Sequence, residues 1–210
     1  VSPKVIDSVR HHWPEEHVAL AHPTNFGERY LHDLKGRSTH HEPIIVLHET
    51  VSSGESTIRF FQTPHPKDED QASYHALIRL NGSIYYFVPP DKRAFGAGQS
   101  VFVNPKTGRT ESVQTNPSLL PSVNNFAYHI SLETPPEGRI GGAHPGYTSL
   151  QYLSLAWLVA KTGVPEHRIT THQAVDRSGS RNDPRQFNHA RFQTLLSVYP
   201  KTNEIKIGCP

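Results

Sequence analysis

The stretch HQAVDRSGSRNDP, residues 172–184, sets His172 eleven positions ahead of Asp183, in a segment too rich in small and polar residues for a long helix or strand. A second histidine, His48, closes the apolar run PIIVLH at 43–48. Two neutral imidazoles and one carboxylate make a set that a catalytic zinc ion takes, with a fourth position left open for water. Such a set leaves residual positive charge on the ion, which lowers the pKa of the water it holds. Asp183 has a second possible use. Followed by Pro184, it has the form of a helix N-terminus, an acceptor side chain and then a residue with no N–H to satisfy. Phe192, Leu195, Leu196 and Tyr199 recur three and four apart on one face of the helix that would follow. Spacing alone leaves both uses open.

Whether the two histidines meet depends on the elements that carry them. PIIVLH is short, apolar and rich in β-branched residues, and reads as a buried strand. HRITTH (167–172) reads as a second short strand, so each histidine stands at a strand end, and neighbouring strands would bring the two together. SYHALIRLNGSIYYFVP (73–89) is two apolar runs around Asn81 and Gly82, a strong hairpin signal. NNFAYHISLET (124–134) reads as a further strand, and YTSLQYLSLAWLVAKTG (147–163) as a helix apolar around most of its circumference, hence buried. STIRFFQ fits a turn or two of helix, residues 89–124 are loop-rich with a small hairpin near NPKTG, and residues 1–43 read as short helical pieces between turns. Strands interleaved with helices place the chain in the α/β class, as a single domain with a central mixed β-sheet covered by helices. Residues 1–43 are expected as a helical extension packed on a domain at 44–200, with 201–210 as a tail.

Bulk properties narrow the function classes. At 210 residues the chain can bury a core without covalent staples. A formal charge of +2, from 21 basic and 19 acidic residues, gives no argument for nucleic acid as a partner. No run approaches the roughly 18 apolar residues of a membrane span. Cys209 is the lone cysteine, which excludes an internal disulfide and a Cys-rich zinc site. The sequence begins at Val1 without Met, and a removed signal peptide is expected, with a periplasmic or secreted location and a monomeric state. HHEP lacks the second histidine of H-E-x-x-H, and no G-x-S-x-G is present, so zinc peptidase and serine hydrolase readings lack their motifs.

From about residue 43 to 199 the sequence resembles the type-2 N-acetylmuramoyl-L-alanine amidases, relatives of phage lysozyme-type amidases and of peptidoglycan recognition proteins. IIVLHET resembles the family's first strand, whose terminal histidine ligates zinc, which carries to His48. ITTH with SRNDP resembles the second and third ligands, His172 and Asp183, with a basic residue, Arg181, two positions before the third. NFAYHISLET resembles the strand bearing the catalytic glutamate, which carries to Glu133; sliding the register by two puts Ser131 there, on the same strand face. Tyr74 falls where the phage enzymes keep a functional tyrosine. The resemblance implies a zinc amidase domain that hydrolyses the amide between N-acetylmuramic acid and L-alanine, acting on peptidoglycan or muropeptides. It further implies Glu133 as general base and Arg181 as oxyanion stabiliser, with Tyr74 orienting water. The sequence departs from the family at two places. AFGAGQS puts Gly96 where many members carry the histidine of a Trp-His-Ala-Gly loop, and Arg181 replaces a lysine. A relative that binds peptidoglycan without cleaving it is the alternative; such relatives lose a zinc ligand, whereas all three are kept here.

Overall fold

All six residues of the run that ends in His48 and Glu49 are buried, on both faces of the strand they form. The structure, a computed structural model, describes residues 1–208, so Cys209 lies outside the described residues. The first third of the chain folds as α1 (Pro3–His11), β1 (Glu16–Val18), β2 (Phe26–Glu28), β3 (Ile44–Glu49) and α2 (Gly54–Gln62). Then come β4 (Ala76–Ile78), β5 (Ile84–Tyr86), β6 (Lys92–Ala94), β7 (Phe102–Val103), β8 (Thr110–Glu111) and β9 (Ala127–Leu132). The last third holds α3 (Ser149–Ala160), β10 (Ile169–Thr171), α4 (His172–Val175) and α5 (His189–Val198). Six strands make one sheet in the order β1-β5-β4-β9-β3-β10. Only β4 and β5 pair antiparallel within it, as the hairpin expected around Asn81 and Gly82. Gly82 adopts φ +83°, and Asn81 Oδ1 accepts from the Ser83 amide at 3.0 Å, which closes the turn.

The pleat sorts the core into two faces. On one, Ile45, Leu47, Tyr128, Ile130 and Leu132 pack with α3 and α5. Helix α3 needs no polar face because it is buried nearly all round; Thr148 and Gln151 close its N-terminus as a reciprocal capping box. On the other face two smaller apolar clusters form, one around Ile44, Val46, Phe126 and Ala127, the other around Leu77, Phe61 and Phe87. Alternation along β3 and β9 puts His48, His129 and Ser131 on this second face, and every one of them is inaccessible to solvent.

Two expectations need correction. Residues 1–43 hold one α-helix and two strands, and β1 extends the central sheet by pairing parallel with β5. A three-residue edge strand, exposed at both ends, carries no hydrophobic alternation from which to read it. The segment is also locked to the domain by Arg29, whose buried guanidinium donates to the carbonyls of Pro90, Asn124, Asn125 and Ala127. Nor does the last helix begin at Asp183. Its N-cap is Asn188, which accepts from the Arg191 amide at 2.9 Å, so the cap reading of Asp183 falls.

Candidate metal centre

Strands β3 and β10 run parallel, with Leu47 opposite Thr171, so the residues that follow, His48 and His172, leave the same end of the sheet side by side. His172 opens α4, whose first turn is capped by the Thr171 side chain. The loop then turns on Asp176, whose carboxylate accepts from the amides of Ser178, Ser180 and Arg181. That turn returns Asp183 to the strand ends, where its carbonyl accepts from the Gln173 amide and its carboxylate from the Glu49 amide.

Three donor atoms converge there. His48 Nδ1 lies 3.2 Å from His172 Nδ1, and Asp183 Oδ2 lies 3.3 Å from each of them. Bonds of about 2.0–2.1 Å to a tetrahedral ion put neighbouring ligand atoms about 3.3–3.4 Å apart, so the spacing fits zinc. Two imidazole lone pairs at this distance repel unless a cation or a proton lies between them. Burial pulls the His48 imidazole down to about 4 against the attraction of hydrogen-bonded Asp183, which favours the neutral, ligating form. Burial alone would raise the Asp183 carboxyl, but its hydrogen bonds with His172 and His48 hold it well below the usual range, as the ligating anion. All three residues are buried, and the described residues hold no other such group of histidine, cysteine and carboxylate ligands.

A buried ionic network braces this centre from behind. Glu49 Oε1 accepts from the amide and Nε of Arg185 at 2.8 and 2.7 Å, and Oε2 accepts from Thr134 Oγ1 at 2.9 Å. His144 Nε2 lies 3.0 Å from the same oxygen. Arg185 in turn donates to the carbonyls of Gly138 and Gly142. Burial would raise the Glu49 carboxyl, but the Arg185 bonds lower it overall, so it stays charged. The network fixes the peptide two residues beyond Asp183 to the residue after His48. None of it was foreseen; the adjacency of Glu49 to His48 was the only signal.

The remaining candidates are unequally placed. Tyr74 sits just before β4, its ring 4.6 Å from that of His48, and burial followed by the nearby Asp183 charge pushes its phenol up, keeping the hydroxyl protonated. Arg181 is exposed at the rim, and its charge is felt by both His48 and Tyr74. Glu133 stands apart. Its carboxylate accepts from the amides of Gly54 at 2.8 Å and Leu80 at 3.0 Å, and from Arg79 and Arg139, each at 3.2 Å. It thereby holds the first turn of α2 against the β4–β5 hairpin. The β9 residue paired with His48 is Ser131, and its buried hydroxyl faces the Tyr74 phenol without a close hydrogen bond. His48 Nε2, the ring nitrogen turned away from the other ligands, lies 2.8 Å from Nδ1 of His129.

The family model described as N-acetylmuramoyl-L-alanine amidase (Amidase_2) matches residues 40–186, which include all three candidate ligands. A selenomethionine derivative of AmpD is similar in fold, with 23% identity over 87% of this chain and 94% of that one, at a TM-score of 0.58. The hydrolase AmiA of Staphylococcus aureus shares 13% identity over 94% of this chain and 90% of that one, at a TM-score of 0.55. No curated protein matches the sequence. With the family model covering most of the chain, and the solved structures sharing its α/β sheet, the protein belongs to the N-acetylmuramoyl-L-alanine amidase family.

Proposed function

We propose that this protein hydrolyses the amide bond between the lactyl group of N-acetylmuramic acid and L-alanine, in peptidoglycan or soluble muropeptides. The observation that carries the reading is the buried convergence of His48, His172 and Asp183 at 3.2–3.3 Å, inside the segment that matches the amidase family. These three residues would hold zinc, which when bound activates water and polarises the scissile carbonyl. The chain's own groups supply the rest. Tyr74, kept protonated beside His48, is a hydrogen-bond donor available to water or substrate there, and the neighbouring Ser131 hydroxyl is a further polar contact. Arg181 brings a permanent charge to the rim, placed to stabilise the oxyanion of an acyl transfer, an effect typically worth about 3 kcal/mol. Glu133 would have to give up four donors to take a proton, so this reading leaves the base role expected of it unassigned and gives its carboxylate a structural part.

The same engagement of Glu133 favours a second reading, a module that binds peptidoglycan without cutting it. Mass spectrometry of a muropeptide mixture separates the two. A hydrolase releases stem peptides with a free L-alanine amine and leaves a lactyl carboxylate on the sugar, and chelation abolishes both products. Retention on insoluble peptidoglycan with no change in muropeptide masses, with zinc added, would establish the binding module instead.

A further inference from the structure

The hydrogen positions around His48 are fixed from the backbone inward. The Ala97 amide, a donor with no alternative, points at Asn124 Oδ1 at 3.0 Å, so that atom is the amide oxygen. His129 Nε2 lies 2.9 Å from the same oxygen and must donate to it, which leaves Nδ1 of His129 as the acceptor nitrogen of the ring. His48 Nε2, at 2.8 Å from that Nδ1, must then carry the proton, and Nδ1 of His48 is left as a bare lone pair among the ligand atoms. One route thus runs from a peptide N–H through Asn124 and His129 to the tautomer that a metal ion needs. The His129 backbone is itself held in place, because its amide donates to Nδ1 of His75, whose Nε2 donates to the Lys92 carbonyl.

Room for this ring comes from the loop. A Cβ at Gly96 would stand 2.4 Å from His129 Nδ1, 2.5 Å from its Cγ and 2.7 Å from its Cε1, too close for any side chain to coexist with it. The departure at Gly96 and the histidine at 129 therefore belong to one arrangement.

We infer that His129 is a positioning residue for the metal centre, orienting His48 and fixing its tautomer through the Asn124–His129–His48 relay, with Gly96 as the space that admits it. The inference rests on the reading of His48, His172 and Asp183 as metal ligands and is independent of which bond the protein cleaves. Partners of this kind contribute about 10–100-fold to metal affinity.

The test measures zinc affinity by competition with a chromophoric chelator, and the visible spectrum of the cobalt-substituted protein. His129→Asn keeps an acceptor at the δ position and should bind zinc within a few-fold of the parent. His129→Gln moves the polar end to the ε position, out of reach of His48, and should lose about 10–100-fold with an altered cobalt spectrum. Gly96→Ala keeps every ligand and the histidine at 129 but forces that ring to move, and should show the same loss. Parental affinity and spectrum in folded His129→Gln and Gly96→Ala variants would overturn the role of His129 alone. A parent chain that takes up neither zinc nor cobalt would overturn the metal centre itself, and the inference with it.

Discussion

Glu133 and Ser131 lie two apart on one strand face, and family resemblance alone could not choose between them. The structure separates them by their partners. Glu133 is held by two arginines and two backbone amides, whereas Ser131 pairs with His48 in the sheet and turns its hydroxyl to Tyr74 without a close hydrogen bond. Glu133→Gln should therefore cost stability, about 2–3 kcal/mol for breaking a buried, charge-assisted set. In a chain of this size that is a Tm loss of roughly 5–10 °C, read by thermal denaturation. A variant with parental Tm but an activity loss of about 10²-fold or more would restore Glu133 as the general base. Arg181 makes a contrasting prediction. Its charge reaches the site without a structural partner in the hydrogen-bond pattern, so Arg181→Ala should leave Tm unchanged. It should also lower kcat by about 10²-fold while KM moves little, since the negative charge it serves exists only in the transition state. A defect confined to KM, with full zinc content, would make Arg181 a substrate-binding group.

At the scale of elements, legibility followed burial. Strand β3, helix α3 and the β4–β5 hairpin carry continuous apolar runs or a strong turn signal, and all three stand where the sequence put them. The last helix is also present, but Asp183 and Pro184 imitated its start so well that Asn188, the true cap, was overlooked; propensity cannot tell a ligand's carboxylate from a cap's. The N-terminal strands were illegible for another reason. Their fit depends on distant partners, β5 for β1 and β6 for β2, and on the long-range contacts of Arg29, none of which a local pattern announces. Arg29→Ala strips donors from four carbonyls in or near the domain interior and should cost at least about 3 kcal/mol. Lysine, lacking the planar fork, should recover little of it. A Tm within 2 °C of the parent, a tolerance of about 1 kcal/mol at this chain length, would show that the N-terminal segment contributes little to the fold.

For the molecule as a whole, the buried histidines set the response to acid. Burial holds His75 and His129 well below the usual imidazole value and His48 at about 4. In the unfolded chain each titrates near 6.5. Folded-state values that are depressed give stability that is present above about pH 6.5 and lost as pH falls toward the folded values, because the unfolded chain takes up the protons. Each such group destabilises the metal-free protein as pH falls below about 6.5, by at most about 1.4 kcal/mol per pH unit. Against a typical total of about 5–15 kcal/mol, the three together are enough to unfold it within a few units. Melting curves of the chelated protein between pH 7 and pH 5 test this, and a flat Tm across that interval would refute it.

The contact between Gly96 and His129 also couples the loop to the strand. A Cβ at 96 meets the His129 ring where it now lies, so a change at either position is felt at the other. In a His129→Ala background the same methyl group at 96 has room and should cost less than it does in the parent. The two positions are therefore expected to be non-additive in a double-mutant cycle.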